Sequence, residues 1–484
     1  MTIAWTIAGS DSGGHAGIQA DLQTFHALGV HGCSVITAVT AQNSLSVNDI
    51  HYLPAPQVQS QINTLGNDLP AQAIKLGMLG EIPVIKAIHD FLKSYAGQII
   101  LDPVFISTSG KKLFSADLPD YLAALKSLFP FVDLLTPNRL ESESILNKKI
   151  ISFSDIKNAA TEFLNLGVKS VLIKGGHFNL SEFCHDYWTN GKEAFWLNIP
   201  RIANHATHGT GCTLSSAITA CLAQGYDIKD AVTIGKMYVT QAIRHAKKQG
   251  QGLTSLAHRA WPEDQADLPY LTTEPLTQLR PAFPACTPKP LGLYPIVDRS
   301  QWLHRLLPLG VSTIQLRIKD QSATDLENEI KQAIHIGKQY DARLFINDYW
   351  QLALKHGAYG VHLGQEDLQN ADIDRLLAAG IRLGISSHCY YEVARAHSLH
   401  PSYIACGPIF PTATKQMPFS PQGLAQLARW QRTLQYPIVA IGGINSQRFQ
   451  DIRRLDIDGI AMISEICNNS EPERVTQALL QGYN

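Results

Sequence analysis

"WPEDQADLPYLTTEPLTQLRPAFPACTPKP", residues 261–290, carries seven prolines in thirty positions and sustains neither a helical nor a strand period. Proline fixes φ and removes a backbone donor, so such a run is extended and joins domains rather than building one. Cutting there divides the chain into residues 1–262, a linker at 263–290, and residues 291–484. At 484 residues the chain is long enough for each part to bury its own core.

Upstream of the cut, short β-rich runs alternate with helical patterns: "IAWTIA", "CSVITAVT", "AIKLGML", "QIILDPV", "VDLLTPN" and "SVLIKGG". That rhythm is the grammar of βαβ units around a buried parallel sheet. "CHDYWTNGKEAFWLNIP" interrupts it with Asn190-Gly191, a type I′ hairpin signal placed at the sheet edge. The segment "HATHGTGCTLSSAI" (205–218) is a glycine-rich turn opening a helix, and the free N–H groups of Gly209, Thr210, Gly211 and Cys212 make it a candidate anion hole. A glycine turn that only permits tight geometry is the plain alternative. Three further strand ends point at the same crevice, the place where open α/β sheets bind ligands: Asp102 in "ILDPV", Asn138 and Glu141 in "TPNRLE", and Lys174 in "LIKGGH". A carboxylate and an amide spaced as Asn138 and Glu141 suit water-bound magnesium beside phosphates. Glu141 is equally an ordinary first-turn acid.

Downstream, eight strand candidates follow at regular intervals: "GLYPIVD", "STIQLRIK", "ARLFIND", "YGVHLG", "RLGISSH", "SYIACGPIF", "YPIVAIGG" and "DGIAMIS". Eight βα units in one domain predict a closed (β/α)8 TIM barrel with its site at the strands' carboxyl ends. Alternation sets Gln315, Arg317 and Lys319 on one face of "IQLRIK" and Ile314, Leu316 and Ile318 on the other. Cations gathered inside a barrel require a polyanionic ligand. Asp348 and Asp367 face the same mouth and suit magnesium on a diphosphate, although Asp348 alone also reads as a helix N-cap. "PTATK" adds Thr412, Thr414 and Lys415, while "IGGI" and "MISE" follow strands seven and eight as the usual phosphate cup of such barrels.

The first domain resembles the hydroxymethylpyrimidine and phosphomethylpyrimidine kinases of thiamine biosynthesis, ribokinase-like enzymes. The resemblance rests on "IAGSDSGGHAGIQADLQTF", "CSVITAVTAQN", "KLGML", "LDPV", "TPNRLE", "KGGH" and "THGTGCT". It implies a three-layer α/β fold, ATP as phosphoryl donor, Cys212 as a catalytic residue at the acceptor hydroxyl with Lys174, Gln42 and Met78 on the pyrimidine, and Asp21 close by. It also implies that Asp102 and Lys174 lie near the nucleotide or its metal. A cysteine at a helix N-terminus has its pKa lowered towards neutral, so Cys212 is expected to serve as a weak base for an alcohol while staying compatible with an anionic second acceptor. His15 stands where the family has a small residue, and a solvent-facing side chain is expected there; the placement of Gly13 and Gly14 near the ligand loosens with it.

The second domain resembles thiamine phosphate synthase from Tyr294 to its end. By that resemblance Gln315, Arg317, Lys319, Asn347 and Lys415 hold a pyrimidine diphosphate and Ser386 lies near its ring. Asp348 and Asp367 bind Mg²⁺, Gly443 and Ser464 take the thiazole phosphate, and Thr412 and Thr414 reach phosphate oxygens of one or the other. The family's usual glutamate is Ile318 here, at a position turned away from the lumen. Two phosphorylations and one condensation to thiamine phosphate are the implied reactions.

The formal charge of −1 with mixed signs gives no broad basic surface for nucleic acid and no membrane-proximal cluster, so the expected partners are small molecules. No apolar run approaches a membrane span and the start lacks a signal-peptide pattern, which predicts the cytoplasm. Eight scattered cysteines without a CxxC pair fit a reducing compartment. A homo-oligomer is compatible with all of this. The competing readings are a pyridoxal-type vitamer kinase fused to another phosphate-binding barrel, one half retained as a ligand-binding sensor, and a scaffold.

Overall fold

The apolar runs upstream of residue 262 become a single mixed sheet in a computed structural model that describes residues 1–107, 110–176, 181–202, 208–252, 254–320, 322–412 and 419–483. In chain order its strands are β1 (Ile3–Asp11), β2 (His31–Gln42), β3 (Val47–Tyr52), β4 (Ala73–Leu76), β5 (Gln98–Leu101), β6 (Leu134–Leu135), β7 (Val171–Ile173), β8 (Phe183–Thr189), β9 (Ala194–Pro200) and β10 (Tyr270–Thr272). The spatial order is β10-β9-β8-β7-β6-β5-β4-β1-β2-β3. The central strands run parallel. The outer pairs are antiparallel. Trp5, Ile74, Leu101 and Val171 are among the side chains that fill the core beneath the helices. This is the ribokinase-like α/β architecture.

Two expectations change. The hairpin of β8 and β9 turns through residues 190–193, where Asn190 Oδ1 accepts from the N–H groups of Lys192 and Glu193, rather than through two residues. Nor is it the sheet edge, because β10, drawn from the expected linker, pairs with β9. Asn198 secures that addition: its Nδ2 donates to Tyr270 O and to Thr272 Oγ1, both at 2.8 Å, and its Oδ1 accepts from Leu276 N at 3.1 Å. Short alternating strands this close to prolines carry too weak a period to stand out in sequence.

The second unit is a barrel closed by β11 (Gly292–Val297), β12 (Thr313–Leu316), β13 (Arg343–Asn347), β14 (Gly360–Leu363), β15 (Arg382–Ser387), β16 (Tyr403–Cys406), β17 (Ile438–Ile441) and β18 (Gly459–Met462). All eight pairings are parallel, β11 joining β18 to close it. Rings fill the lumen: Tyr294, Phe345 and Tyr403 pack together at centroid separations of 5.1–6.0 Å. Glycines on neighbouring strands make room for them, since a Cβ at Gly384 would come within 2.1 Å of the Tyr403 ring.

The end of the proline-rich stretch is clamped to this barrel. Arg343, 4% exposed, donates from Nε to Thr313 Oγ1 at 2.8 Å, from its two other nitrogens to the carbonyls of Pro288, Pro290 and Leu291, and also to Ser312 Oγ. Arg343→Met removes these donors, including the interior bonds to Leu291 O and Thr313 Oγ1. It is expected to destabilise the barrel by about 3 kcal/mol, read as a lower urea midpoint at unchanged slope; an unchanged midpoint would mean the clamp contributes nothing.

Candidate active sites

The carboxyl ends of β1, β4, β5, β6 and β7 and the amino end of the helix Thr210–Ala223 surround a cavity of about 520 Å³, within the usual size for a small-molecule site. Cys212, Lys174, Asp102, Gln42, Met78 and Glu141 all line it, as do Asn138, Gly209, Thr210 and Gly211. Gly209 caps the helix at φ 81°, and a Cβ there would lie 2.0 Å from His15 O, so only glycine fits. His15 itself is half-buried, its ring edge-on to His208 at 6.0 Å, and therefore does not simply point to solvent. The residues at 203–207, including the start of the quoted cradle, lie outside the described residues.

Lys174 Nζ is 2.6 Å from Asp102 Oδ1 and 3.9 Å from Glu141 Oε2. Burial disfavours its charge, but Asp102 and Glu141 hold the ammonium's pKa above the usual lysine value. Asp102 is fully buried, and its Oδ2 has no hydrogen-bond partner among the described residues. A Cβ on Gly211 would stand 3.3 Å from that oxygen and 3.1 Å from Lys174 Nζ, so the anion hole and the ion pair share one space.

Asn138 and Glu141 prove to be a capping box. Asn138 Oδ1 accepts from Glu141 N at 2.9 Å, and Glu141 Oε2 accepts from Asn138 N at 2.7 Å. These atoms serve the helix terminus, and both residues also line the cavity. Burial pushes Glu141 up to about 7, Lys174 opposing and Asp102 adding to the rise.

Asp21 does not line the cavity. It is fully buried and accepts from Lys75 Nζ at 2.8 Å, Ser216 Oγ at 2.6 Å and Thr6 Oγ1 at 2.6 Å. Lys75, which does line the cavity, is thereby held as an ammonium in a dry site. A lysine in the apolar run "AIKLGML" was the available signal, because a buried charge demands both a partner and a purpose. Asp11 was likewise passed over: its carboxylate accepts from the N–H groups of Gly13, His15 and Ala16 and shapes the glycine loop. Gln42 Nε2 meets His208 Nε2 at 3.2 Å.

The thiol of Cys212 reverses an expectation. Burial pushes it up to about 11; Lys75 and the Gly17 N–H pull it down, and Asp21 and Asp102 raise it further. Burial raises the thiol, against the direction a helix terminus alone would set, so it is protonated at neutral pH.

In the barrel, Gln315 and Asn347 are buried at the inner face, Arg317 is half-buried and Lys319 exposed. Ile318, 1% exposed, packs away in the hydrophobic interior. Lys319 Nζ pairs with Asp348 at 2.5 Å. Asp348 is not the N-cap, which is Tyr349 without a side-chain cap bond; it adopts φ 65°, a conformation that aspartate tolerates better than most residues. Asp367 is held above the usual carboxylate range by burial and by Asp348, which lies within hydrogen-bonding reach. Two carboxylates at one mouth suit a divalent cation. Ser386 Oγ bonds to His362 Nε2 at 2.8 Å, and His362 is a lumen residue that "YGVHLG" offered unread. Gly443 (φ 65°) follows β17 and presses on Pro411, a Cβ there falling 2.5 Å from its carbonyl; exposed Ser464 follows β18. Thr412 is described, whereas Thr414 and Lys415 lie outside the described residues.

Two family models match these two units. The model for phosphomethylpyrimidine kinase covers residues 11–257, and that for thiamine monophosphate synthase covers residues 293–466. A protein of Oryza sativa subsp. japonica called a probable thiamine biosynthetic bifunctional enzyme, chloroplastic, is 34% identical over 478 residues, spanning 95% of this chain and 85% of its own. The chain belongs to the bifunctional thiamine biosynthetic enzymes. Its kinase domain and synthase domain are both transferases. Thiamine-phosphate synthase of Yersinia pseudotuberculosis is 55% identical to the synthase domain over 201 residues, 41% of this chain and 93% of that protein. Among solved structures, pyridoxal kinase from Staphylococcus aureus in complex with ADP resembles the kinase domain with a TM-score of 0.51 and 29% identity, covering 56% of this chain and 98% of that one. The family supports ATP as the phosphoryl donor. No helix among the described residues is long and apolar enough to cross a membrane.

Proposed function

We propose that the kinase domain phosphorylates hydroxymethylpyrimidine twice, first on its alcohol and then on the resulting monophosphate, and that the synthase domain joins the diphosphate to thiazole phosphate. The observation that carries the double phosphorylation is that the Cys212 thiol, in the first turn of the helix Thr210–Ala223, and Lys75 line the same cavity. A carboxylate at that point would repel a phosphate monoester, whereas a neutral thiol with a cation behind it accepts either acceptor. In a loose transition state the alcohol's proton leaves late, so little base strength is required. Gln42 and Met78 face the pyrimidine, the N–H groups at 209–211 and Lys174 hold the transferring phosphoryl group, and the unpartnered Asp102 Oδ2 is the atom best suited to a nucleotide-bound magnesium.

In the synthase domain the diphosphate leaves the pyrimidine methylene and the thiazole nitrogen attacks. Arg317 and Lys319 neutralise the leaving group, and Lys415 is assigned the same task from the sequence. Magnesium held by Asp348 and Asp367 would supply further positive charge to the diphosphate. Gly443 and Ser464 take the thiazole phosphate, with Thr412 and Thr414 at neighbouring phosphate oxygens. A cytoplasmic setting suits eight free cysteines.

A pyridoxal kinase activity is the second reading, favoured by the structural neighbour that carries that name. ATP consumption measured with hydroxymethylpyrimidine, its monophosphate and pyridoxal separates the two: turnover of both pyrimidines supports the proposal, and turnover of pyridoxal alone overturns it. Cys212→Asp is expected to lower kcat/KM for the monophosphate about tenfold more than for the alcohol. Because the thiol stays protonated below about pH 11, kcat/KM for the alcohol should not climb between pH 7 and 9 through Cys212 ionisation. A rise in that window that vanishes in Cys212→Ser would reveal a thiolate base.

A further inference from the structure

A run of hydrogen bonds crosses the barrel interior just beneath the synthase site. Gln315 Nε2 on β12 donates to Tyr294 Oη on β11 at 3.3 Å. Tyr294 Oη and Tyr403 Oη, on β16, are 2.9 Å apart. Tyr403 Oη lies 2.7 Å from His362 Nδ1 on β14, and His362 Nε2 lies 2.8 Å from Ser386 Oγ on β15. Gln315, Tyr294, Tyr403 and His362 are all buried, and phenylalanine would fill the ring positions as well, so packing alone does not account for the polar atoms.

Counting hydrogens fixes the direction of the run. An amide nitrogen only donates, so Tyr294 Oη accepts from Gln315. Tyr294 still has its own hydrogen to place, and Tyr403 Oη is the acceptor within reach. Tyr403 must then pass its hydrogen to Nδ1 of His362. With Nδ1 an acceptor, the single proton of a neutral imidazole sits on Nε2 and is donated to Ser386 Oγ. The opposite direction would bury the Tyr294 hydrogen without an acceptor, a costly arrangement.

We propose that His362 is a positioning residue of the synthase: fixed as the Nε2–H tautomer, it makes Ser386 Oγ an acceptor within the protein and leaves the Ser386 hydrogen to be given to the substrate. Ser386 thereby has its own hydrogen free for a heteroaromatic ring that presents a nitrogen lone pair at that point. The inference rests on the reading that the pyrimidine of the diphosphate substrate lies at Ser386.

The tautomer is measured in the substrate-free full chain by long-range ¹H–¹⁵N correlation of labelled histidines, His362 being assigned by its loss in His362→Gln. A pyrrole-type Nε2 and a pyridine-type Nδ1 are expected; the reverse pattern, or a doubly protonated ring, overturns the proposal. In steady-state synthase kinetics, His362→Phe is expected to raise KM for the pyrimidine diphosphate roughly tenfold and leave KM for thiazole phosphate unchanged, with His362→Gln, which keeps an amide donor near Nε2, within about threefold of the parent. In a Ser386→Ala background the same His362→Phe change should cost less than about twofold. Equal losses in both backgrounds would show a merely structural histidine. An unchanged KM in Ser386→Ala would overturn the placement of the pyrimidine, and the proposal with it; the tautomer, read without substrate, tells that failure from a failure of the relay.

Discussion

Lys174→Met is expected to lower kinase kcat/KM by about a thousandfold, on the order of 4 kcal/mol of transition-state stabilisation, while synthase turnover stays at the parent level. Lys174 is the cation at the junction of the anion hole and the buried Asp102, 2.6 Å from its Oδ1. Without it the buried Asp102 carboxylate has no counter-charge and turns negative potential on incoming phosphates, while Glu141, which Lys174 holds down, is pushed further up and takes a proton. The helix N–H groups alone cannot offset that, because their combined partial charge is about half an elementary charge. ADP release with hydroxymethylpyrimidine as acceptor measures the effect. A loss smaller than tenfold would place Lys174 away from the transferring group.

Asp367→Ala is the corresponding change in the barrel. Thiamine phosphate formation from supplied pyrimidine diphosphate and thiazole phosphate should fall about a thousandfold or more, with ADP release by the kinase domain intact. Asp348 is already engaged by Lys319, so removing Asp367 halves the carboxylate pair and leaves one partly neutralised ligand for a cation. Activity that survives the change at ordinary magnesium levels would remove the metal role from this pair. Loss of kinase activity as well would mean that the two domains do not act independently.

Much of this was legible because buried strands announce themselves. The eight barrel runs and the central strands of the first sheet are mostly apolar, and polar residues at their ends then fall on one rim by topology alone. What stayed hidden depended on partners distant in sequence. Nothing in "YLT" shows that Asn198 will bind it as a tenth strand. That Glu141 closes a capping box depends on the backbone angles at Asn138, which the spacing of the two residues does not show. Cys212 was misjudged because a helix terminus is visible in sequence and desolvation is not. Lys75 and His362 were overlooked for the opposite reason: each is one polar residue inside an apolar run, and its partners, Asp21 in one case and Tyr403 with Ser386 in the other, lie on other elements.

The central claim is that one pocket makes what the other consumes, and its most direct test is the stoichiometry of the full chain given ATP, Mg²⁺, hydroxymethylpyrimidine and thiazole phosphate. About two molecules of ADP and one of pyrophosphate are expected for each thiamine phosphate formed. ADP released without thiamine phosphate, or thiamine phosphate formed only when the pyrimidine diphosphate is supplied ready-made, would contradict it.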